Sequence, residues 1–271
     1  MALKLADKAT IGMVVSTLLL AAILGGTAWA SDENTDLRYI EFATAEASRP
    51  GVTVAEYEGN WENLDAAREE WSRIRLQDPC LEWAAASFVT GSDTGRVRFI
   101  EGASRYTGRA LDDRRAAYWD KVSELTGLAA TKNDMGKVTF FADWLNSNVI
   151  YYLPYAMGES EDRTCTTPAS ALLDGVAVCT GYARAMRDLC LASGIDCVVV
   201  TDSAKQHAWV KVEVESTWYV ADPTPRLFSA SASNSPIALV SDDTYESLTG
   251  YRDGVSGIGC AIDRSPICPE L

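Results

Sequence analysis

Histidine is nearly absent from this chain: one stands in 271 residues, His207. That scarcity excludes metal sites built on two or three imidazoles, H-E-x-x-H among them, and the seven cysteines contain no C-x-x-C pair to hold zinc instead. Positive charge is also short, with 24 Lys and Arg against 38 Asp and Glu and a net charge of −14. So acidic a chain lacks the phosphate-neutralising charge that nucleic-acid binding needs, and no nucleic-acid partner is expected. No internal repeat or low-complexity tract interrupts it. Neither a metal nor an organic cofactor is expected.

What is present divides the chain into parts. Lys4 and Lys8 precede an apolar run from Ile11 to Leu24 and small residues ending in Ala28-Trp29-Ala30. Residues 1–30 therefore read as an export signal cleaved after Ala30, with an uncleaved membrane anchor as the alternative. Either puts the rest of the protein outside the cytoplasm, extracellular or at the cell surface, touching membrane only if the segment is retained. The whole chain is 47% hydrophobic, enough to bury a core. Residues 31–130 read as a tether followed by a mostly helical region, 131–228 as the core and 229–271 as an extension packed on it.

Trp61, Leu64, Arg68, Trp71 and Ile74 recur at helical spacing, with Asp78-Pro79 as the stop. Val97-Arg98-Phe99-Ile100 suits a short strand, and Leu111 to Leu125 a helix that Gly127 would end. Phe141, Leu145 and Val149 fall four apart on the helix expected over Val138 to Val149. Pro168 opens a short helix closed by Gly175, and a further helix is expected from about Thr180 to Ala192. Val198 to Thr201, Ala208 to Val214 and Trp218 to Asp222 read as strands. The fold class is α+β.

An odd cysteine count in an exported protein predicts three disulfides and one free thiol, assigned to Cys179. Cys260 with Cys268 and Cys190 with Cys197 are the expected local pairs, leaving Cys80 with Cys165. A cysteine at a helix start is favoured as thiolate by unpaired N–H groups and the helix dipole. Gly175 and Gly181 flank it, and Gly181 is expected to leave room for substrate.

On the following hairpin Ala208, Val210, Val212 and Val214 face the core, so His207, Trp209 and Lys211 face the other way, toward the site, with Trp209 expected to touch substrate. A two-residue turn at Glu215-Ser216 would pair Val214 with Thr217 and set Asp222 diagonal to His207, roughly 7 to 8 Å away between backbones. A turn one residue later would separate them by roughly 13 Å. The first register lets Asp222 hold the imidazole while a ring nitrogen faces Cys179, a nucleophile, base and carboxylate in chain order.

The segments Gly175-Val176-Ala177-Val178-Cys179-Thr180-Gly181-Tyr182-Ala183, His207-Ala208-Trp209-Val210 and Trp218-Tyr219-Val220-Ala221-Asp222-Pro223-Thr224 resemble the transglutaminase-like superfamily. Lys137-Val138, Trp144-Leu145, Asn148 to Tyr152 and Ala192 to Ile195 extend the likeness, and Ser241 to Thr244 resembles its C-terminal part. The resemblance implies a papain-like core with the nucleophile helix packed on an antiparallel sheet. It further implies catalytic Cys179, His207 and Asp222, a thioester intermediate, and acyl transfer or hydrolysis on peptide or protein amides. A cysteine peptidase of cell-surface or cell-wall peptides, or a non-catalytic surface binding module, are the alternatives.

Overall fold

The computed structural model describes residues 53–58, 76, 84–89, 96–101, 109–202, 204–226 and 235–252. The export segment, the helix expected over Trp61 to Ile74, and Cys80, Cys260 and Cys268 lie outside them. Before residue 109 the described residues are three strands and the helical Leu76. β1 (Thr53–Glu58), β2 (Ala84–Val89) and β3 (Arg96–Glu101) form an antiparallel sheet in the order β1-β3-β2. This sheet stands within the region expected to be mostly helical, whose described residues also include the helix over 109–129. Thr53 to Glu58, read within a polar tether, alternates with the period of two that a strand requires, and Tyr57 and Phe88 both register against Val97.

The core begins with α1 (Arg109–Ala129), which runs past Gly127 instead of ending there. Its buried face carries Tyr118, Val122, Leu125 and Ala129, at helical spacing. α2 (Asp134–Asn148) opens on Asn133, whose side chain accepts the Gly136 N–H at 3.0 Å. Val138, Phe141, Ala142 and Leu145 bury its inner face.

β4 (Ile150–Tyr151) pairs in parallel with β5 (Val176–Ala177). Between them lie a short helix α3 (Leu153–Ala156), a 3-10 turn (Arg163–Thr166) and a π-helical turn (Ser170–Asp174) that Gly175 closes at φ 67°. The helix expected after Pro168 is thus this wider turn.

α4 (Cys179–Ala192) follows, with Cys179 itself as its first residue. It packs on a four-stranded antiparallel sheet of β6 (Cys197–Asp202), β7 (His207–Val214), β8 (Thr217–Asp222) and β9 (Ile237–Val240), in that order. Ala183, Met186 and Leu189 join Val199, Val210 and Val212 in one buried cluster. Truncating Met186 or Leu189 to alanine would cost about 2–5 kcal/mol through lost transfer energy and a residual cavity. Two of the buried charges inside α4 are paired: Arg187 Nε donates to Asp188 at 2.7 Å, and the Tyr118 hydroxyl donates to the same carboxylate, tying α1 to α4.

The opposite face of the sheet is covered by α5 (Asp242–Thr249), beneath which Val198, Val200, Trp209, Val220, Ile237 and Tyr245 form a second cluster. Alternation along β7 is as expected, but the face carrying Trp209 and Lys211 is roofed rather than open.

The cysteine expectations change. Cys190 and Cys197 sit side by side as hydrogen-bonded thiols, not as a disulfide, brought together by the reversal in which Ile195 N–H meets Cys190 O at 3.0 Å. Cys165 is also a free thiol, donating to Asp162 O at 3.1 Å, so it is not joined to Cys80 and Cys179 is not the sole free cysteine.

Candidate active site

Three elements converge at the start of α4. Val178, in extended conformation, carries no side-chain cap, so the first N–H groups of the helix beside Cys179 receive no help from it. The Cys179 side chain, in a residue only 8% exposed, lies 3.8 Å from Gln206 O. Gln206 has φ 54°, a left-handed conformation costly for a side chain of its type, and it turns the chain out of β6 so that His207 opens β7 against the thiol.

Of the two hairpin registers open from sequence, the structure takes the two-residue turn. Val214 pairs with Thr217, and Glu215 and Ser216 both have positive φ, 52° and 63°, as the primed turn requires. The diagonal relation brings His207 Nε2 to 2.9 Å from Asp222 Oδ2. With Nε2 engaged there, Nδ1 is the ring nitrogen left for Cys179, to which His207 is hydrogen-bonded. The other carboxylate oxygen accepts the Thr224 N–H at 2.9 Å.

Electrostatics separate this thiol from its neighbours. Burial works against the Cys179 thiolate, yet the His207 hydrogen bond and charge, with the Ala208 N–H, outweigh it and lower the thiol's pKa. Burial likewise opposes the imidazolium, but the Asp222 charge and hydrogen bond, together with Cys179, carry His207 from 6.5 up to about 10. For Asp222, burial is outweighed by His207 and Thr224, and its pKa falls. By contrast, burial and the Asp162 charge push the Cys165 thiol up to about 11, and burial drives Cys197 upward. The balance is tilted toward thiolate and imidazolium, and only at Cys179 among these three.

Tyrosines that sequence reasoning missed complete the surroundings. Parallel pairing of Tyr151 with Ala177 carries the Tyr151 phenol to Cys179, where it is hydrogen-bonded; burial and the thiolate charge raise its pKa, so it stays a proton donor. Tyr245 donates to Asp222 Oδ2 at 2.8 Å, and Tyr251 stacks on the His207 ring with centroids 4.2 Å apart. Tyr151 stood only within the Asn148 to Tyr152 stretch of the resemblance, with no role attached, and the other two lie more than 20 positions beyond Asp222, where no periodicity links them to it.

Gly181 and Trp209 are not where a substrate contact would need them. A Cβ on Gly181 would meet Cys165 O at 2.6 Å and Thr167 O at 3.1 Å, so the missing side chain serves close backbone packing. Trp209 is 1% exposed, inside the cluster under α5. Among the described residues no group of His, Cys, Asp and Glu is arranged to hold a metal.

A thiol-bearing helix start, packed on an antiparallel sheet that supplies a histidine and an aspartate, defines a mixed helix-and-sheet core with a Cys-His-Asp constellation. Residues 122–223 match the family model of the transglutaminase-like superfamily. No curated protein matches the chain. Solved structures similar to it include a TGase (11% identity over 74% of this chain and 55% of that one, TM-score 0.38). Another is a protein of Cytophaga hutchinsonii provisionally assigned as a cysteine protease (16%, 57% and 66%, TM-score 0.30). A third is a provisionally assigned protease of Parabacteroides distasonis (17%, 60% and 41%, TM-score 0.31). The chain thus spans 41% to 66% of the length of these structures.

Proposed function

We propose that this protein is a cysteine acyl transferase or amidase acting on peptide or protein amides, with Cys179 as nucleophile, His207 as acid and base, and Asp222 orienting His207. The observation that carries the reading is the 2.9 Å contact of His207 Nε2 with Asp222, which leaves the opposite ring nitrogen to a thiol of lowered pKa at a helix start. In the first half-reaction the thiolate attacks the amide carbon. The imidazolium gives its proton to the departing nitrogen as the C–N bond breaks, leaving a thioester and neutral His207. An amine or water then loses its proton to His207, attacks the thioester, and the C–S bond breaks to restore the ion pair. The Cys179 N–H and the Tyr151 hydroxyl are the donors available to the tetrahedral oxyanion. The basic and apolar residues of 1–30 support action outside the cytoplasm, on cell-surface or cell-wall peptides.

The test is incubation with a glutamine-bearing peptide and a labelled primary amine, scored for amine incorporation and for free acid, with Cys179→Ala as control. Incorporation or acid that depends on Cys179 supports the proposal, and their ratio separates transfer from hydrolysis. Cleavage of the peptide backbone instead would make it a peptidase. No Cys179-dependent product with glutamine, peptide or cell-wall-derived amides would favour a binding module.

A further inference from the structure

The superfamily match ends at residue 223, yet the pair His207–Asp222 is enclosed by residues further on. α5 is anchored at its start: the Ser241 hydroxyl accepts the Thr244 N–H at 3.0 Å, and Asp242 pairs with the buried Lys211 of β7 at 2.8 Å. One turn on, the buried Tyr245 packs its ring on Trp209 at 5.0 Å and donates its hydroxyl to Asp222 Oδ2, the same oxygen that holds His207 Nε2. Gly250, at φ 76°, ends the helix in a left-handed cap and redirects the chain. Tyr251 then lies over the imidazole, 25° from parallel. This last turn is fastened on both sides. Lys205 Nζ donates to Gly250 O, Arg252 N–H donates to Asp202 Oδ2 at 3.3 Å, and the Arg252 side chain reaches Glu246 at 2.9 Å.

We propose that residues 241–252 form a clamp in which Tyr245 and Tyr251 are positioning residues for His207 and Asp222. The inference rests on the functional reading above for its purpose, and on geometry for its existence. Asp222 fixes the imidazole in its plane, and Tyr251 fixes the plane itself from one face. A tyrosine face against an imidazolium also favours the charged ring. Tyr245 has the opposite sense: by donating to the carboxylate it draws off part of the charge that Asp222 offers to His207. The clamp therefore both aims the ring and limits how tightly it holds its proton. The titratable groups around His207 and its clamp are Cys179 from α4, Asp222 from β8, Tyr245 from α5 and Tyr251 beyond it, with Asp202 of β6 in register with His207, Lys205 of the β6–β7 turn over the Tyr251 ring, and Tyr151 of β4 on the thiol.

Because the chain has a single histidine, labelling the full protein with 15N-histidine yields one imidazole to titrate by NMR. Tyr251→Leu should lower the His207 pKa by about half to one pH unit and move the pH profile of iodoacetamide alkylation of Cys179 upward by up to the same amount. Tyr251→Phe, which keeps the ring, should restore both. Tyr245→Phe, which removes one oxygen and keeps the packing, should move the His207 pKa upward. Neither readout uses a substrate, so the clamp and the acyl-transfer reading can fail separately. Shifts in these variants without any turnover by the wild type would uphold the clamp and sink that reading. An unchanged His207 titration in Tyr251→Leu and Tyr245→Phe, each melting as a folded protein, would overturn the clamp whatever the turnover.

Discussion

Removing the Asp222 carboxylate should cripple the chemistry more than the fold. Asp222 is 3% exposed and accepts from His207 at 2.9 Å, Tyr245 at 2.8 Å and Thr224 at 2.9 Å. Lifting the imidazolium from 6.5 to about 10 corresponds to about 5 kcal/mol of preference for the charged ring, reached against the opposing effect of burial. Asp222 is the foremost source of that preference. Without it, burial returns the ring to an ordinary pKa or below, and at pH ~7.5 about a tenth or fewer of the rings stay charged, against nearly all in the wild type. A tenfold loss of the ion pair, compounded by a ring free to turn, puts the fall in turnover for Asp222→Ala at about 10²- to 10⁴-fold. Asp222→Asn sets an amide NH2 where one accepting oxygen stood, against either the Thr224 N–H or the His207 and Tyr245 donors, so its fall should lie in the same range.

The pH dependence of stability has a definite sign. His207, with its pKa raised, stabilises the fold fully below about pH 6.5 and loses that contribution as pH climbs through about 10. Asp222, with its pKa lowered, stabilises it above the ordinary carboxylate range and loses that as pH falls. The melting difference between wild type and Asp222→Ala should therefore be greatest between these limits and shrink in acid. Within the window, the Tyr245 hydroxyl and Thr224 N–H left without an acceptor would cost about 1–3 kcal/mol each unless water replaces it. The assay is single-turnover acylation of Cys179 by an activated glutamine ester, beside thermal melts of each variant. Equal acylation and equal melting of wild type and Asp222→Ala would remove Asp222 from the mechanism and leave a Cys-His dyad.

Iodoacetamide should label Cys179 well ahead of Cys165 near neutral pH, since one thiol is held below its ordinary pKa and the other above it; mass mapping of the time course reads the order. His207→Ala should abolish the preference, and an unchanged alkylation profile in that variant would mean the two residues are not partners. Gly181→Ala should destabilise by about 1–3 kcal/mol, because its Cβ meets the Cys165 carbonyl at 2.6 Å and backbone must move. A melt matching the wild type would show that α4 does not lie so close to the Cys165–Thr167 turn.

The adjacency of Cys179, His207 and Asp222 was legible because each rests on a local rule. A helix start, a strand alternation and a two-residue hairpin turn suffice to bring them together, and Glu215-Ser216 takes the tight register without the glycine or asparagine that would have announced it. What was not legible depends on how elements meet. Alternation correctly put Trp209 and Lys211 on the face away from Val210, but only the docking of α5 decides whether that face is a groove or an interior. Likewise Ala84 to Val89 is alanine-rich and bears no mark of a strand; it becomes one by pairing with β3.

The same distinction bears on how this site works. Local rules aim the three residues at one another, whereas the side chains that enclose them arrive from elsewhere in the chain: Tyr151 across a two-residue parallel ladder, Tyr245 and Tyr251 from beyond β9. A histidine held only by Asp222 in a buried site would keep its proton strongly and release it reluctantly to a leaving group. Tyr245, by sharing the carboxylate, weakens that hold while leaving the geometry in place. Tyr245 touches the carboxylate and not the ring, so a substitution there is expected to tune proton affinity without disturbing the aim of the ring.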